Sequence, residues 1–243
     1  MINFAPPGQY IKLPNNSPYF QNVSMAFTSL WAVHSVLPVT PNRHTYNDIS
    51  IGTAIALSRQ ECGLLDDAGQ KWRLTARASD AGAARFCVTL NPPAANTLYA
   101  VVMGSNYAAN TMEIYINSVL QGTAVPAPPF ANPSSNTAAM ESFIGIDLND
   151  PVNTSNFAGV MEDMRFYTRM LSQAEVETIQ TCRGTDGMVF GLIARYLMQE
   201  GAAGVAVGAS QVKDRGPSGL HGSGNGGLTW AGDSRLKWRR RVL

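Results

Sequence analysis

Residues 159–175 read GVMEDMRFYTRMLSQAE, and this stretch decides how the rest of the chain is interpreted. Its end predicts a helix, because Ser172 and Glu175 have the spacing of a capping box. In that motif the Ser hydroxyl accepts from the Glu backbone N–H, and the Glu carboxylate accepts from the Ser amide. Val176 and Ile179 then supply an apolar stripe. We expect one short helix of about three turns, packed as a lid over one end of the fold.

Upstream of this stretch, short apolar segments alternate with turn residues. Residues 71–79 place Trp72 and Leu74 on an apolar side and polar residues on the other, which is the period-two pattern of a half-buried strand. Residues 112–117 alternate in the same way, and residues 97–103 are expected to form the strand beside them. Strands at such spacing, separated by turns, indicate a β-sandwich or jelly roll.

The quoted stretch resembles the signature of the laminin-G-like, concanavalin A-like jelly-roll family. That signature has a Gly, a pair of acids, an Arg between apolar residues and a Tyr, followed by Arg, Leu, Ser and Glu at a helix start. Residues 1–14 are similar to the family's F-x-G-x-x-Y-V-x-L-P strand. Residues 114–120 resemble its L-Y-V-D-G-x-L hairpin, with Asn117-Ser118 where the family has Asp-Gly. The resemblance covers roughly residues 1–180 and implies an all-β, antiparallel jelly-roll sandwich with one short helix.

The C-terminal part resembles the segment with which the family normally opens. Residues 194–201 read ARYLMQEG and residues 214–222 read DRGPSGLHG, matching an apolar strand, Glu-Gly and then Asp-x-Ser-Gly. Here they follow the helix instead of preceding the first strand. Either the fold is circularly permuted, with residues 188–243 supplying strands of its own sandwich, or those strands are exchanged with a neighbouring subunit. We interpret residues 1–243 as a single domain, and permutation is the simpler explanation.

Composition excludes several classes of protein. The chain has 243 residues, of which 45% are hydrophobic and 14% charged, with a net charge of +1. These values exclude a disordered chain and a charged coiled coil. No apolar run reaches the length of about 18 residues that a membrane span needs. The first residues, MINF, have no basic region and no apolar core, so we expect synthesis in a host cytoplasm without a signal peptide.

The reactive side chains show none of the catalytic patterns of related enzymes. The glucanases of the family that this chain resembles carry Glu-x-Asp-x-Glu on one strand. Glu162 and Asp163 are adjacent instead, and the resemblance implies that they have a structural role. His34, His44 and His221 are scattered, and no G-x-S-x-G motif is present. Three cysteines outside any CxxC pair predict free thiols. We therefore expect no enzymatic activity and no required cofactor.

The end of the chain carries a basic pattern. Residues 235–243 hold five of the 18 Lys and Arg residues and no acid. Arg235, Lys237, Arg239 and Arg241 alternate with other residues, which predicts a strand with one basic face. The pattern fits an edge strand protected from aggregation, a strand that docks on an acidic neighbouring subunit, or, least well, a nucleic-acid contact.

A Ca²⁺ ion is an option at the rim of the sandwich, because the resemblance is to a superfamily that holds calcium there. Such a site needs several oxygen ligands from loop acids and carbonyls. The candidate ligands are Asp66, Asp67, Asp147 and Asp150. Solvated turn residues explain the same acids.

Sugar binding would require an exposed aromatic ring beside polar groups. Tyr19, Tyr46 and Tyr107 lie in turn-like segments and are the candidate glycan-binding residues. The alternative is that these rings cover the edge of the core.

Taken together, these features favour a non-enzymatic structural protein of a bacteriophage virion. The expected role is a capsid decoration or cement protein, or a fibre component, on the virion surface with a glycan-binding face. Its expected partners are virion proteins such as the major capsid protein, a second copy of the chain and a host-surface glycan, with no membrane. This prediction rests on analogy with phage surface proteins that share the expected fold. The alternatives are a free carbohydrate-binding lectin module and, less favoured, a diverged polysaccharide-degrading enzyme.

Overall fold

The computed structural model describes residues 1–5, 8–14, 32–34, 43–49, 60–64, 71–77, 83–94, 97–133, 141–146, 156–182 and 186–231. Of residues 32–34, 43–49, 60–64 and 141 the backbone alone is described. The strands are β1 (Ile2–Phe4), β2 (Tyr10–Lys12), β3 (Ala32–His34), β4 (Arg43–Ile49), β5 (Gln60–Leu64), β6 (Trp72–Ala76), β7 (Arg85–Val88), β8 (Thr97–Tyr99), β9 (Val101–Asn106), β10 (Thr111–Ile116), β11 (Val119–Ala124), β12 (Glu141–Ile144), β13 (Gly159–Met161), β14 (Met164–Tyr167), β15 (Leu192–Tyr196), β16 (Ser223–Asn225) and β17 (Thr229–Trp230). The helix is α1 (Gln173–Cys182).

These strands form an antiparallel sandwich. One sheet has seven strands in the order β16-β2-β12-β4-β5-β6-β7, and another has five in the order β17-β1-β13-β3-β8. A three-stranded sheet, β11-β10-β9, and a two-stranded sheet, β14-β15, complete the described part. Neighbouring strands pair antiparallel, as in the β6–β7 pair. The predicted fold class, an all-β jelly-roll sandwich with a single helix, is confirmed for the residues that the structure describes.

The period-two pattern on β6 is confirmed for its apolar side, whereas Thr75, expected on the polar outer side, is also buried. Trp72, Leu74 and Ala76 are buried and belong to the main core, together with Met112 and Ile114 of β10. Burying an aliphatic or aromatic side chain of this size contributes about 1.5–3 kcal/mol. The alternation of these two strands therefore fixes which of their faces points inward.

The segment 97–103, expected to be one strand, is two. β8 pairs with β3, whereas β9 pairs with β10. The break falls at Ala100, whose N–H donates to Asn117 Oδ1 at 3.0 Å and whose carbonyl accepts from Asn117 N–H at 2.8 Å. A partner 17 residues away thus takes both backbone groups of Ala100 and lets the chain pass from one sheet to the next.

The β10–β11 hairpin turns at Asn117-Ser118, as predicted. Both residues have positive φ angles, 50° and 64°. This is the geometry of the type I′ turn, which matches the right-handed twist of the flanking strands. Asn tolerates the left-handed region better than most residues, so it replaces the family's Asp at low cost.

Helix α1 begins with the predicted capping box. Glu175 N–H donates to Ser172 Oγ at 3.4 Å, and Ser172 N–H donates to Glu175 Oε2 at 2.8 Å. Val176 and Ile179 pack in a second cluster that includes Tyr115 of β10. Tyr115, on the face of β10 opposite Met112 and Ile114, is therefore buried beneath the helix.

The C-terminal strands pair within the chain. β15 pairs with β14, β16 with β2, and β17 with β1. β16 and β17 thus stand next to the two N-terminal strands at the ends of two sheets. The circular permutation, the alternative of exchange and the boundaries of a single domain over residues 1–243 stay predictions.

Two smaller observations complete the fold. None of the helical residues that the structure describes forms a segment long and apolar enough to cross a bilayer. Cys87 is a buried free thiol, as predicted, whereas Cys182 is half-buried, and Cys62 lies in β5, where only the backbone is described. Burial and, second, the nearby Glu113 carboxylate raise the pKa of the Cys87 thiol to about 12, so it stays protonated.

Candidate functional site

A cleft of about 320 Å³ opens at one rim of the sandwich. It lies where the β10–β11 turn meets the segment that joins β7 to β8. Its volume falls at the lower end of the range of about 300–1,000 Å³ for small-molecule sites. The lining residues are Trp72, Thr89, Asn91, Pro92, Pro93, Tyr99, Ile116, Asn117, Val119 and Gln121. We call this the rim cleft.

The deep side of the rim cleft is aromatic. Trp72 is only 1% exposed and meets Tyr99 edge to face, with ring centroids 6.5 Å apart. The Tyr99 hydroxyl accepts from the backbone N–H of Ala94 at 2.8 Å. This bond ties the segment that carries Pro92 and Pro93 to the floor, so the apolar wall is held in place by the strand beneath it.

The outer side of the rim cleft carries side-chain amides. Asn117 Oδ1 is taken by the Ala100 N–H, which leaves its Nδ2 group as a donor. The amides of Asn91 and Gln121 make no hydrogen bond to any part of the chain that the structure describes. Three amides with open hydrogen-bonding capacity therefore surround an apolar floor.

Helix α1 holds the turn that carries Asn117. The Ser118 carbonyl accepts from Gln173 Nε2 at 2.8 Å, and the Ser118 hydroxyl donates to Gln180 Oε1. Helix residues thus contact the turn through both a backbone and a side-chain group. The lid predicted from sequence is in this way a support for one wall of the rim cleft.

The helix is in turn fixed by an ion pair. Arg169 contacts both carboxylate oxygens of Glu175, at 2.8 Å and 2.6 Å. The hydrogen bond to Arg169, followed by those to Ser172, lowers the pKa of Glu175 from 4.5 to about 2, although partial burial opposes the shift. The carboxylate is therefore charged over the whole range in which proteins normally work.

A second group of charges lies inside the fold, and we call it the arginine–aspartate cluster. Arg165, with a fully buried side chain, contacts Asp163 at 2.7 Å and Asp186 at 2.7 Å. Arg195 adds a contact to Asp163 at 2.7 Å. Burial disfavours the charged Arg165, but hydrogen bonds to Asp186 and Asp163 outweigh it and raise its pKa. The expectation that Asp163 is structural fits these contacts, because both its oxygens face arginines.

One of the predicted glycan-binding residues is not placed for that role. The ring of Tyr107 is 1% exposed, lies edge to face with Phe130 at 4.8 Å, and its hydroxyl donates to the Arg77 carbonyl at 2.9 Å. A turn-like sequence suggested exposure, but these contacts put the ring in the core. A buried ring cannot stack on a sugar, so Tyr107 is corrected to a core residue.

The remaining predicted site residues are not tested. Tyr19 lies outside the described residues, and Tyr46 lies in β4, where only the backbone is described. The acids proposed for calcium and the basic residues proposed for docking also lie outside the described residues: Asp66, Asp67, Asp147, Asp150, Arg235, Lys237, Arg239 and Arg241.

Sequence reasoning missed the rim cleft because four separate segments of the chain build it. Asn117 was noticed only as a turn residue, and the Asn91-Pro92-Pro93 run gives the signal of a loop. Gln121 alone gives no signal.

No carboxylate lines the cleft. Within the described ranges, no group of three or more His, Cys, Asp or Glu residues could hold a metal ion.

Comparison with known proteins identifies a family. Residues 8–177 match the family model described as the concanavalin A-like lectin/glucanases superfamily. No curated protein matches the chain at a significant level. The match covers well over half of the sequence and includes both the turn at Asn117-Ser118 and the start of α1.

Solved structures share the fold at low sequence identity. A candidate carbohydrate-binding protein from Bacteroides ovatus is 16% identical, with a TM-score of 0.62, over 96% of this chain and 60% of that one. A heptameric SAP-like pentraxin from Limulus polyphemus is 13% identical, with a TM-score of 0.53, over 78% of this chain and 86% of that one.

A third structure contains a sugar. The CBM40 module of the Ruminococcus gnavus IT-sialidase, bound to α2,3-sialyllactose, is 15% identical, with a TM-score of 0.50, over 65% of this chain and 84% of that one. The chain spans about 60% of the length of the Bacteroides ovatus protein. At these identities the likeness concerns the fold alone.

Proposed function

The chain belongs to the concanavalin A-like lectin/glucanases superfamily, and from that premise we propose that it is a non-enzymatic carbohydrate-binding module whose site is the rim cleft. The observation that carries the proposal is the pairing of an apolar floor with open amides and no carboxylate. A pyranose has the same two kinds of surface, since C–H groups cover its faces and hydroxyls line its edge. The fold of solved carbohydrate-binding modules supports the proposal without assigning a sugar.

The amides suit hydroxyl groups. A hydroxyl both donates and accepts, and each Asn or Gln amide offers both kinds of group. Asn91 and Gln121 can each contact two neighbouring hydroxyls, while Asn117 acts chiefly as a donor, because Ala100 uses one of the two lone pairs of its oxygen. Tyr99, which is partly exposed, and the exposed Pro92 supply the apolar surface that a sugar face covers.

The lining also favours binding over catalysis. Glycoside hydrolysis by an acid and a base or nucleophile needs two carboxyl groups roughly 5–9.5 Å apart across the bond. The rim cleft offers none. Several carboxylates elsewhere in the described chain are committed to structure: Asp163 and Asp186 to Arg165, Glu175 to Arg169, and Asp214 to the backbone N–H groups of Arg195 and Gly216.

A glycan array followed by titration calorimetry tests the site. We expect the purified protein to bind at least one glycan, and the variant Gln121→Ala to lose about tenfold in affinity, the effect of roughly 1.4 kcal/mol. Thr123→Ala is the matched control, because Thr123 lies on the same strand, is exposed and does not line the cleft. Equal affinities of Gln121→Ala and wild type would place binding elsewhere, and an empty array would refute the function.

The second part of the proposal concerns where the module works, on the surface of a phage virion as a decoration, cement or fibre component. Its support is the charge asymmetry of the sequence, in which residues 235–243 carry five of the 18 Lys and Arg residues and the remainder is net acidic. A basic end suits docking on an acidic neighbour such as a capsid subunit. A free lectin is the alternative.

Truncation after Gly232 separates these locations. A docked component co-sediments with purified particles, and the truncated protein stays folded but is lost from them. A free lectin is missing from the particles whether or not it is truncated. If the basic end only protects a strand edge, the truncated protein aggregates instead.

A further inference from the structure

We infer that the rim cleft selects uncharged sugar ends and discriminates against sugars that carry a carboxylate, such as sialic and uronic acids. This inference rests on the proposed function and names the class of glycan that the same site takes. Its basis is the juxtaposition of three side-chain amides and an apolar floor in a cleft whose ten lining residues include no cation.

The cations nearest in sequence to the lining residues are Lys71, Arg73 and Arg85, and Lys71 is not among the residues that line the cleft. The Arg73 guanidinium lies over the ring of Phe86 at 5.3 Å. Arg85 donates to the Pro128 carbonyl at 3.1 Å. Neither residue lines the cleft. A carboxylate that entered would therefore find no positive charge among the side chains that line the cleft to replace the water it loses.

That loss decides the selectivity. An ion moved from water into a partly enclosed apolar site loses hydration, and only a paired charge or several hydrogen bonds restore it. A carboxylate only accepts hydrogen bonds, so it cannot use the carbonyl oxygens of the Asn91 and Gln121 amides. A hydroxyl uses both ends of an amide and loses far less on entry.

The size of the cleft limits what enters. A volume of about 320 Å³ accommodates the end of a glycan and leaves the rest of the chain in solvent. Charge on inner sugars therefore matters less than charge on the terminal one. The expected ligands are glycans that end in a neutral hexose or N-acetylhexosamine.

Matched pairs of glycans test the inference with the full-length protein. The pairs are glucosides and glucuronides, galactosides and galacturonides, and N-acetyllactosamine with and without terminal sialic acid. We expect the neutral member of the best pair to bind at least about tenfold more tightly. Equal or tighter binding of the acidic member, still weakened by Gln121→Ala, would overturn the selectivity and leave the proposed function intact. Binding of neither member of any pair would overturn the proposed function itself.

A variant pair adds the reverse test. Val119 is 56% exposed at the edge of the cleft, so Val119→Lys adds a cation there at little structural cost. Compared with the neutral variant Val119→Gln, we expect Val119→Lys to shift the ratio of acidic to neutral affinity several-fold toward the acidic glycan, and to lose that shift in high salt. An unchanged ratio would contradict the idea that missing charge is what excludes acidic sugars.

Discussion

The arginine–aspartate cluster and the rim cleft use polar side chains in opposite ways. In the cluster, Arg165 satisfies two buried carboxylates, and its side chain has no exposed surface. In the cleft, neutral amides at the surface keep hydrogen-bonding capacity that the described chain does not use. The charges of the arginine–aspartate cluster are thus committed to contacts within the fold, whereas the surface that we assign to binding is uncharged.

Removing the charge of Arg165 is expected to have the largest effect. Arg165→Met would leave Asp186 buried without its counter-charge and Asp163 with Arg195 alone, and breaking a buried ion pair in this way destabilises proteins by about 3–5 kcal/mol. Urea unfolding followed by tryptophan fluorescence measures the change. Arg215→Met is the control, because Arg215 is half exposed and 3.7 Å from Glu200, so about 0–1 kcal/mol is expected. Equal losses of stability in the two variants would show that the arginine–aspartate cluster does not stabilise the fold more than an exposed ion pair does.

Asn117 connects the fold to the cleft, so its substitution should affect both. Asn117→Gly keeps the positive φ of the turn but removes the bond to the buried N–H of Ala100, at a cost of about 1–3 kcal/mol. It also removes one amide from the cleft, so we expect weaker glycan binding in the folded variant. Thermal unfolding and calorimetry on the same sample measure the two effects. Full glycan affinity in Asn117→Gly would show that this amide is not part of the site.

Acid should loosen the helix by a smaller amount. Because the folded pKa of Glu175 is lowered to about 2 from 4.5, its stabilisation is fully present above its unfolded pKa and is lost as pH falls from 4.5 toward 2. The ion pair is partly exposed, so the loss is about 1 kcal/mol. Glu175→Gln is the matched variant, since Gln also serves in a capping box. The difference in stability between wild type and this variant should shrink over that range, and a constant difference would contradict the assignment.

The cleft should respond to pH differently from the helix. None of its lining residues is Asp, Glu, His, Lys, Arg or Cys. Affinity for a neutral glycan is therefore expected to be flat between roughly pH 5 and 8, where a His-dependent site would change. A titratable step in affinity within that range would show that a residue outside the rim cleft takes part.

Local sequence rules predicted the parts of the fold that local contacts decide. The capping box of Ser172 and Glu175, the alternation at Trp72 and Leu74, and the turn at Asn117-Ser118 all involve residues close in sequence. The break at Ala100 was missed because its partner comes from the following hairpin. A turn-like segment predicted exposure for Tyr107, but Phe130 and the Arg77 carbonyl, distant in sequence, bury it.

The candidate site was harder to predict than the fold. Asn91 and Gln121 lie 30 residues apart in sequence. Their amides come to the same cleft only because β11 meets the segment after β7, where Leu90 N–H donates to the Gln121 carbonyl at 3.3 Å. No pattern of period two or 3.6 marks such a pair. Aromatic residues in turns were a reasonable guide to a sugar site, yet the aromatic floor comes from strands β6 and β8.

A crystal structure of the protein with the tightest neutral glycan from the array tests the central claim most directly. We expect the terminal sugar in the rim cleft, with one face against Tyr99 and Pro92 and with its hydroxyls within hydrogen-bonding distance of Asn91, Asn117 and Gln121. A glycan bound at any other surface, with the rim cleft empty, would contradict it.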